Sequence, residues 1–275
     1  GTPLTAKTVS IGGDGFVTGE GATCTVTGTQ TNVGESDNTF VYKLYAQNGT
    51  AVANNYNITP VCGKLTVTKQ SIDPKDPDNN LGITINDPSD HVYDGKDHKW
   101  APEVKDKKGK ALVEGTDYTV NYDTDNFKDV KKITVTITGK GNYDGTVEKT
   151  YQITKRPVTL TSASAEKVYD GNALTKNEVT ASTGENEGFV KGEGATYDVT
   201  GSQTVVGSSD NTFTYTLKEG TSENNYDIKV ANGTLKVTPV TKEVTVTITE
   251  NSDALTYDGE EHKVKGYKVT DISNK

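Results

Sequence analysis

Along this chain of 275 residues, apolar side chains recur at every second position in short runs, and turn residues separate the runs. Phe40, Tyr42 and Leu44 share one face of such a run, as do Phe213, Tyr215 and Leu217. Ile133, Val135 and Ile137 do the same, with threonines on the opposite face. Period two marks a half-buried β-strand, because successive strand side chains point to opposite faces of the sheet. Further strands are expected at Ala22-Thr23-Cys24-Thr25-Val26, at Leu65-Thr66-Val67, at Leu235-Lys236-Val237 and at Val147 to Ile153. No stretch has the three-and-four apolar spacing of a helix with caps at both ends, and residues 172–181 are the one place left for a short helical turn. The pattern predicts an all-β chain.

The strands are arranged around a repeated phrase. Val92-Tyr93-Asp94-Gly95 recurs as Val168-Tyr169-Asp170-Gly171 and as Thr256-Tyr257-Asp258-Gly259. Asp-Gly is a turn signal, since Gly takes positive φ without steric cost and Asp can accept a hydrogen bond from the backbone two residues on. The tyrosine before it is expected to pack as a corner. A phrase written once per unit is structural rather than catalytic.

Two kinds of unit alternate. In the long kind, Gly1-Thr2-Pro3-Leu4-Thr5 matches Gly171-Asn172-Ala173-Leu174-Thr175, and Gly19-Glu20-Gly21-Ala22-Thr23 matches Gly192-Glu193-Gly194-Ala195-Thr196. Ser36-Asp37-Asn38-Thr39-Phe40 matches Ser209-Asp210-Asn211-Thr212-Phe213, and Asn54-Asn55-Tyr56 matches Asn224-Asn225-Tyr226. The short kind carries Gly115-Thr116-Asp117-Tyr118-Thr119-Val120 and Gly139-Lys140-Gly141-Asn142-Tyr143. The modules expected are residues 1–69 (long, incomplete at its start), 81–154 (short), 155–239 (long) and 240–275 (the start of a second short module). The polar, proline-bearing stretch Asp73 to Asn80 reads as a boundary. The chain thus reads as a piece of something longer, whose first and last modules leave unpaired strand edges.

Hydrophobic residues make up only 31% and mean hydropathy is −0.65, so each module buries a thin core. A net charge of −9 argues against nucleic acid and anionic membrane surfaces, and no apolar run reaches the roughly 20 residues that span a bilayer. Short strands with frequent turns predict an elongated row of immunoglobulin-like sandwiches, with β-grasp-like modules as the alternative.

On these phrases the chain resembles the YDG and MBG-type repeats of bacterial surface proteins, especially the adhesin-like proteins of Gram-positive bacteria. The resemblance is carried by Tyr169-Asp170-Gly171 with Leu174-Thr175, by Gly201-Ser202-Gln203-Thr204 through Phe213, and by Asn225-Tyr226 with Gly233-Thr234-Leu235; the short unit resembles repeats with the 115–120 and 139–143 phrases. It implies export, cell-wall anchoring through a part outside this chain, and service as an adhesin stalk or display region. It implies no enzyme activity and no cofactor. The alternative is that the modules themselves bind a host protein such as immunoglobulin or a mucin glycoprotein.

The remaining chemistry is sparse. Cys24 and Cys62 both fall in the first unit, with Tyr197 and Asn232 at the matching positions of the third, and in an exported protein a pair present together and absent together reads as a disulfide. Such a bridge would close a loop of about 38 residues and stabilise by roughly 4 kcal/mol. Two free thiols and a metal site are the other readings, the latter lacking a nearby pair of histidines. His91, His98 and His262 form no zinc pattern and read as exposed turn residues. Asp73, Asp76 and Asp78 could hold calcium, but without the remaining ligands of a loop site they read first as a solvated hinge. Trp100, with Val264 as its counterpart, reads as a shared core position, the competing reading being an exposed anchor for a partner. No catalytic residues, cofactor site or metal site are predicted.

Overall fold

The computed structural model describes residues 1–46 and 55–272. Asn54, matched above with Asn224, lies outside them. The chain is all-β: among the described residues the regular structure is strand, apart from 3-10 structure at Asn55 and at Glu223–Asn225. The expected helical turn at 172–181 is absent. Leu174 there makes a bridge to Gln203, and Val179–Ala181 is a strand. The helix that a β-grasp module would lay across its sheet is likewise missing among the described residues.

The chain divides into two compact units, residues 1–156 and 157–275. The first unit opens with β1 (Glu20–Val26), β2 (Gly34–Asn38), β3 (Phe40–Ala46), β4 (Gly63–Val67) and β5 (Gln70–Ser71). β1 pairs antiparallel with β3, and β2 with β4. The chain therefore leaves one pair and joins the other across a single residue, Thr39. Gly28 makes that switch fit, since a Cβ there would lie 2.6 Å from the backbone of Asn38 and Thr39.

The same unit continues with β6 (Thr84–Ile85), β7 (His91–Val92), β8 (Val104–Lys105), β9 (Tyr118–Tyr122), β10 (Lys131–Gly139), β11 (Tyr143–Asp144) and β12 (Thr146–Thr154). Its sheet runs β7-β12-β10-β9, with the first pair parallel and the others antiparallel. Ile133, Val135 and Ile137 of β10 are fully buried, as their alternation predicts, together with Tyr93, Tyr151, Ile153, Ile83 and Val104. A short parallel pair, β5 with β11, joins this module to the one before it.

The second unit holds β13 (Arg156–Ser162), which starts one residue ahead of it, β14 (Ala165–Val168), β15 (Val179–Ala181), β16 (Ala195–Val199), β17 (Gly207–Asn211), β18 (Phe213–Leu217), β19 (Tyr226–Ala231) and β20 (Gly233–Thr238). They form sheets β15-β13-β19 and β14-β20-β17 and the antiparallel pair β16-β18. Val158 and Leu160 of the central strand β13 are buried with Tyr226, Leu235 and Val237. After them β21 (Val246–Glu250) and β22 (Tyr267–Ile272) pair with each other, and every residue of both is exposed.

Candidate functional site

The repeated corner folds the same way three times. Gly95, Gly171 and Gly259 have φ of 78°, 82° and 85°, where a side chain would be strained. The carboxylate Oδ1 of Asp94 accepts from Lys96 N at 2.9 Å, that of Asp170 from Asn172 N at 3.0 Å, and that of Asp258 from Glu260 N at 3.1 Å. In both complete corners the tyrosine N–H donates to the last strand of its module, Tyr93 to Thr154 O and Tyr169 to Thr238 O. The strand before the corner runs parallel to that last strand in each case.

The tyrosine rings do not share this uniformity. Tyr93 is 2% exposed, Tyr169 43% and Tyr257 95%, so the expected corner packing holds in the second module alone. There the loop beyond Gly95 is tied down by two further tyrosines. Tyr151 Oη donates to His98 O at 2.7 Å and Tyr122 Oη donates to Trp100 O at 2.6 Å. Burial raises the pKa of both phenols, so they stay neutral donors.

The histidine reading needs correction. His98 is not an exposed turn residue: its ring is half-buried, stacked on His91 with centroids 4.0 Å apart, and its Nε2 lies 2.8 Å from Asp94 Oδ1. His262 repeats the contact with Asp258 at 2.9 Å on an exposed surface. Burial pushes the Asp94 pKa upward, but the hydrogen bonds from His98 and Lys96 N and their positive charge outweigh it, and the pKa is lowered. These pairs hold the corner, and the phrase spacing Asp-x-x-x-His, present in two copies, was the signal for them. Trp100 is half-buried with its indole Nε1 enclosed and unpaired among the described residues, while its counterpart Val264 is exposed, so the two do not share a core position.

In the boundary stretch the aspartates shape turns. Asp73 Oδ1 accepts from Lys75 N and Asp76 Oδ1 from Asp78 N, both at 2.9 Å, and Asn79 binds Ile83 through both backbone groups. Among the described residues no group of three or more His, Cys, Asp or Glu side chains is placed to hold a metal ion.

The expected bridge between Cys24 and Cys62 is not formed: both are free thiols. Cys24 lies on β1, which pairs with β3, whereas Cys62 directly precedes β4, which pairs with β2, so the two belong to different strand pairs. The matching Tyr197 sits on β16, its ring 6.2 Å from Phe213, and burial raises its pKa.

The two long modules share several bonds at matching positions. Tyr56 Oη donates to Glu20 and receives Val17 N, and Tyr226 Oη donates to Glu193 and receives Val190 N. Leu4 bridges Gln30 as Leu174 bridges Gln203. Asn38 Nδ2 donates to Ala6 O as Asn211 Nδ2 donates to Lys176 O. Sequence reasoning missed these two asparagines and the glycines against them, Gly28 and Gly201, although identity at matched positions was available to point to them. What separates the modules is a groove of about 800 Å³ in the first, lined by residues 8–16 and 56–61 with Cys24 and Phe40 among others.

Comparison with known proteins adds no relative: no family model matches the chain, and no curated protein does.

Proposed function

We propose that the chain is a tandem-repeat region of a bacterial surface protein, exported and anchored to the cell wall, in which the modules serve as an adhesin stalk or display region and perform no catalysis. One observation carries this reading: what the two long modules share is scaffold. The Gly-Glu-Gly-Ala-Thr phrase, the most conspicuous repeat, places Glu20 and Glu193 as acceptors for the hydroxyls of Tyr56 and Tyr226. Exposed positions are shared where they make a folding contact, as Thr23, Thr27 and Thr39 recur as Thr196, Thr200 and Thr212 in matching strand-pair bonds, and others differ, with Val41, Lys43 and Cys62 standing against Thr214, Thr216 and Asn232. A module repeated in order to bind would keep a surface patch, and one repeated in order to space keeps only its folding contacts.

Within this reading each long module is an immunoglobulin-like sandwich, supported by the crossing of the chain between strand pairs at Thr39 and Thr212. The net charge of −9 over the whole chain suits a solvated stalk. Immobilised chain exposed to serum and to mucin-containing secretions should retain no protein above a blank surface. Specific retention of immunoglobulin or a mucin glycoprotein would replace the stalk reading with direct host binding.

A further inference from the structure

In the second and third modules a strand near the start lies beside the last strand and runs parallel to it. β7 pairs with the end of β12, His91 opposite Ile153 and Val92 opposite Thr154, and β14 pairs with β20 from Ala165 opposite Leu235 to Val168 opposite Thr238. One threonine closes each pair in the same way. Thr154 O accepts from Tyr93 N at 2.9 Å while its Oγ1 donates to His91 O at 3.2 Å. Thr238 O accepts from Tyr169 N at 2.8 Å while its Oγ1 donates to Lys167 O at 3.3 Å.

Side chains carry the pairing back along the entering chain. In the second module Asp87 Oδ1 accepts from Lys149 Nζ at 2.5 Å, and Asp90 accepts from Gln152 N at 2.9 Å and from Gln152 Nε2 at 3.1 Å. In the third, Ser164 Oγ accepts from Thr234 N at 2.9 Å, and Glu166 lies 3.3 Å from Lys236 Nζ. The partners stand 62, 62 and 63 residues apart in the second module and 70, 70 and 71 in the third, so in each the two segments step along together as one continuous seam. Ile153, Leu235 and Val237 of the last strands are buried, which strengthens the bonds beside them. Two kinds of module thus build the same seam around the same Tyr-Asp-Gly phrase.

We infer that the second and third modules bear tension from end to end through these seams, with the Tyr-Asp-Gly corner and its threonine as the latch. Tension enters β7 or β14 from its N-terminal end and leaves β12 or β20 at its C-terminal end. Because the strands are parallel, the pull then runs along them and strains all the cross-bonds together, whereas an antiparallel hairpin pulled by its two free ends opens one bond at a time. The strands nearer the entry, β6 and β13, can yield without parting the segments that the seam ties. That the chain is pulled at all rests on the stalk reading, but the seam does not: host-protein retention would replace that reading and leave the unfolding forces as they are.

The test pulls single molecules of the full chain, first by attachment points at Ala165 and Val240 and then at Val168 and Val240. The first pair shears the seam between β14 and β20 and the second peels it from its C-terminal end, so the first should need the higher force at equal pulling speed. Pulled by its termini, the chain should show steps of about 210–230 Å for the 63 residues from His91 to Thr154 and about 235–255 Å for the 71 from Lys167 to Thr238. Thr154→Val and Thr238→Val should each unfold their own module about fivefold faster at constant force, as expected for one lost hydrogen bond. Thr154→Ser and Thr238→Ser keep the hydroxyl and should keep the original rates. Equal forces in the two pulling geometries, or valine variants that unfold no faster than the serine ones, would overturn the inference while leaving the stalk reading to its own test.

Discussion

The first and third modules carry the same turns, one matching tyrosine–glutamate bond each and the same registers in their matching strand pairs, yet only the third has a filled core. There Val158, Leu160, Tyr226, Leu235 and Val237 are all buried. In the first module Leu65 is buried, but Ile11 is exposed and Val61 is 78% exposed. In the third module β13 brings Val158 and Leu160 into that core. Turns and hairpins are local and form wherever their residues are present, whereas burial of an apolar side chain needs a partner from elsewhere in the chain.

The comparison breaks first at Leu160. Leu160→Ala should cost the third module about 2–5 kcal/mol, the range for a buried leucine that leaves a cavity. Ile11→Ala in the first module should cost no more than about 0.5 kcal/mol, as for other exposed positions. Urea unfolding followed by hydrogen exchange in each module measures both, and equal losses would remove the distinction between a filled and an open core.

A smaller effect is expected at the paired glycines. Gly233→Ala drives a methyl into the backbone of Ser162 and Ala163 and should cost about 1–3 kcal/mol. Gly63→Ala enters open space and should stay within about 0.5 kcal/mol. Thermal melts of the two variants compare them directly.

The corners of the second and third modules sharpen the contrast through pH. Both Asp94 and Asp170 have lowered folded-state pKa values. For Asp94 burial opposes the shift and the bonds from His98 and Lys96 N prevail, while for Asp170 the bond from Lys167 leads, followed by that from Asn172 N. A carboxylate whose folded pKa lies below its unfolded value of about 3.9 contributes stability above that value, and the contribution is lost as pH falls through the folded pKa. Asp94→Asn should therefore flatten the acid-side stability curve of the second module below about pH 4. Asp170→Asn, on a more solvated carboxylate, should flatten that of the third module less. Titration of the carboxyl resonances by NMR would check the order.

The smallest effect is expected at the thiols. With Cys24 and Cys62 free, reduction should leave the melting of the first module unchanged, and mass spectrometry after alkylation should count two modified cysteines. A single bridged species would instead place β1 and the start of β4 side by side.

Much of this architecture could be read from residue order. Alternation gave the β class and the faces of β10 and β18, and the triple Tyr-Asp-Gly gave the turn with its positive φ and its aspartate bond, because these depend on residues within two or three positions of one another, whereas on β3 Tyr42 is exposed. Repetition gave the match between the long modules for the same reason: like sequences make like local bonds. Position in space was another matter. Equal tyrosines at the three corners came out buried, half-exposed and exposed, although Tyr93 and Tyr169 make the same backbone bond to a last strand, since ring burial depends on side chains brought from elsewhere in the chain. His98 was read as solvated because nothing local announces His91 stacking on it or Tyr151 reaching its carbonyl from 53 residues away. The cysteines shared a module, yet Cys24 lies on β1 and Cys62 in the segment ahead of β4, and both are free. Residue order specifies turns and strands through short-range sterics and hydrogen bonds, whereas which side chains are buried is settled by distant strands competing for the same apolar space.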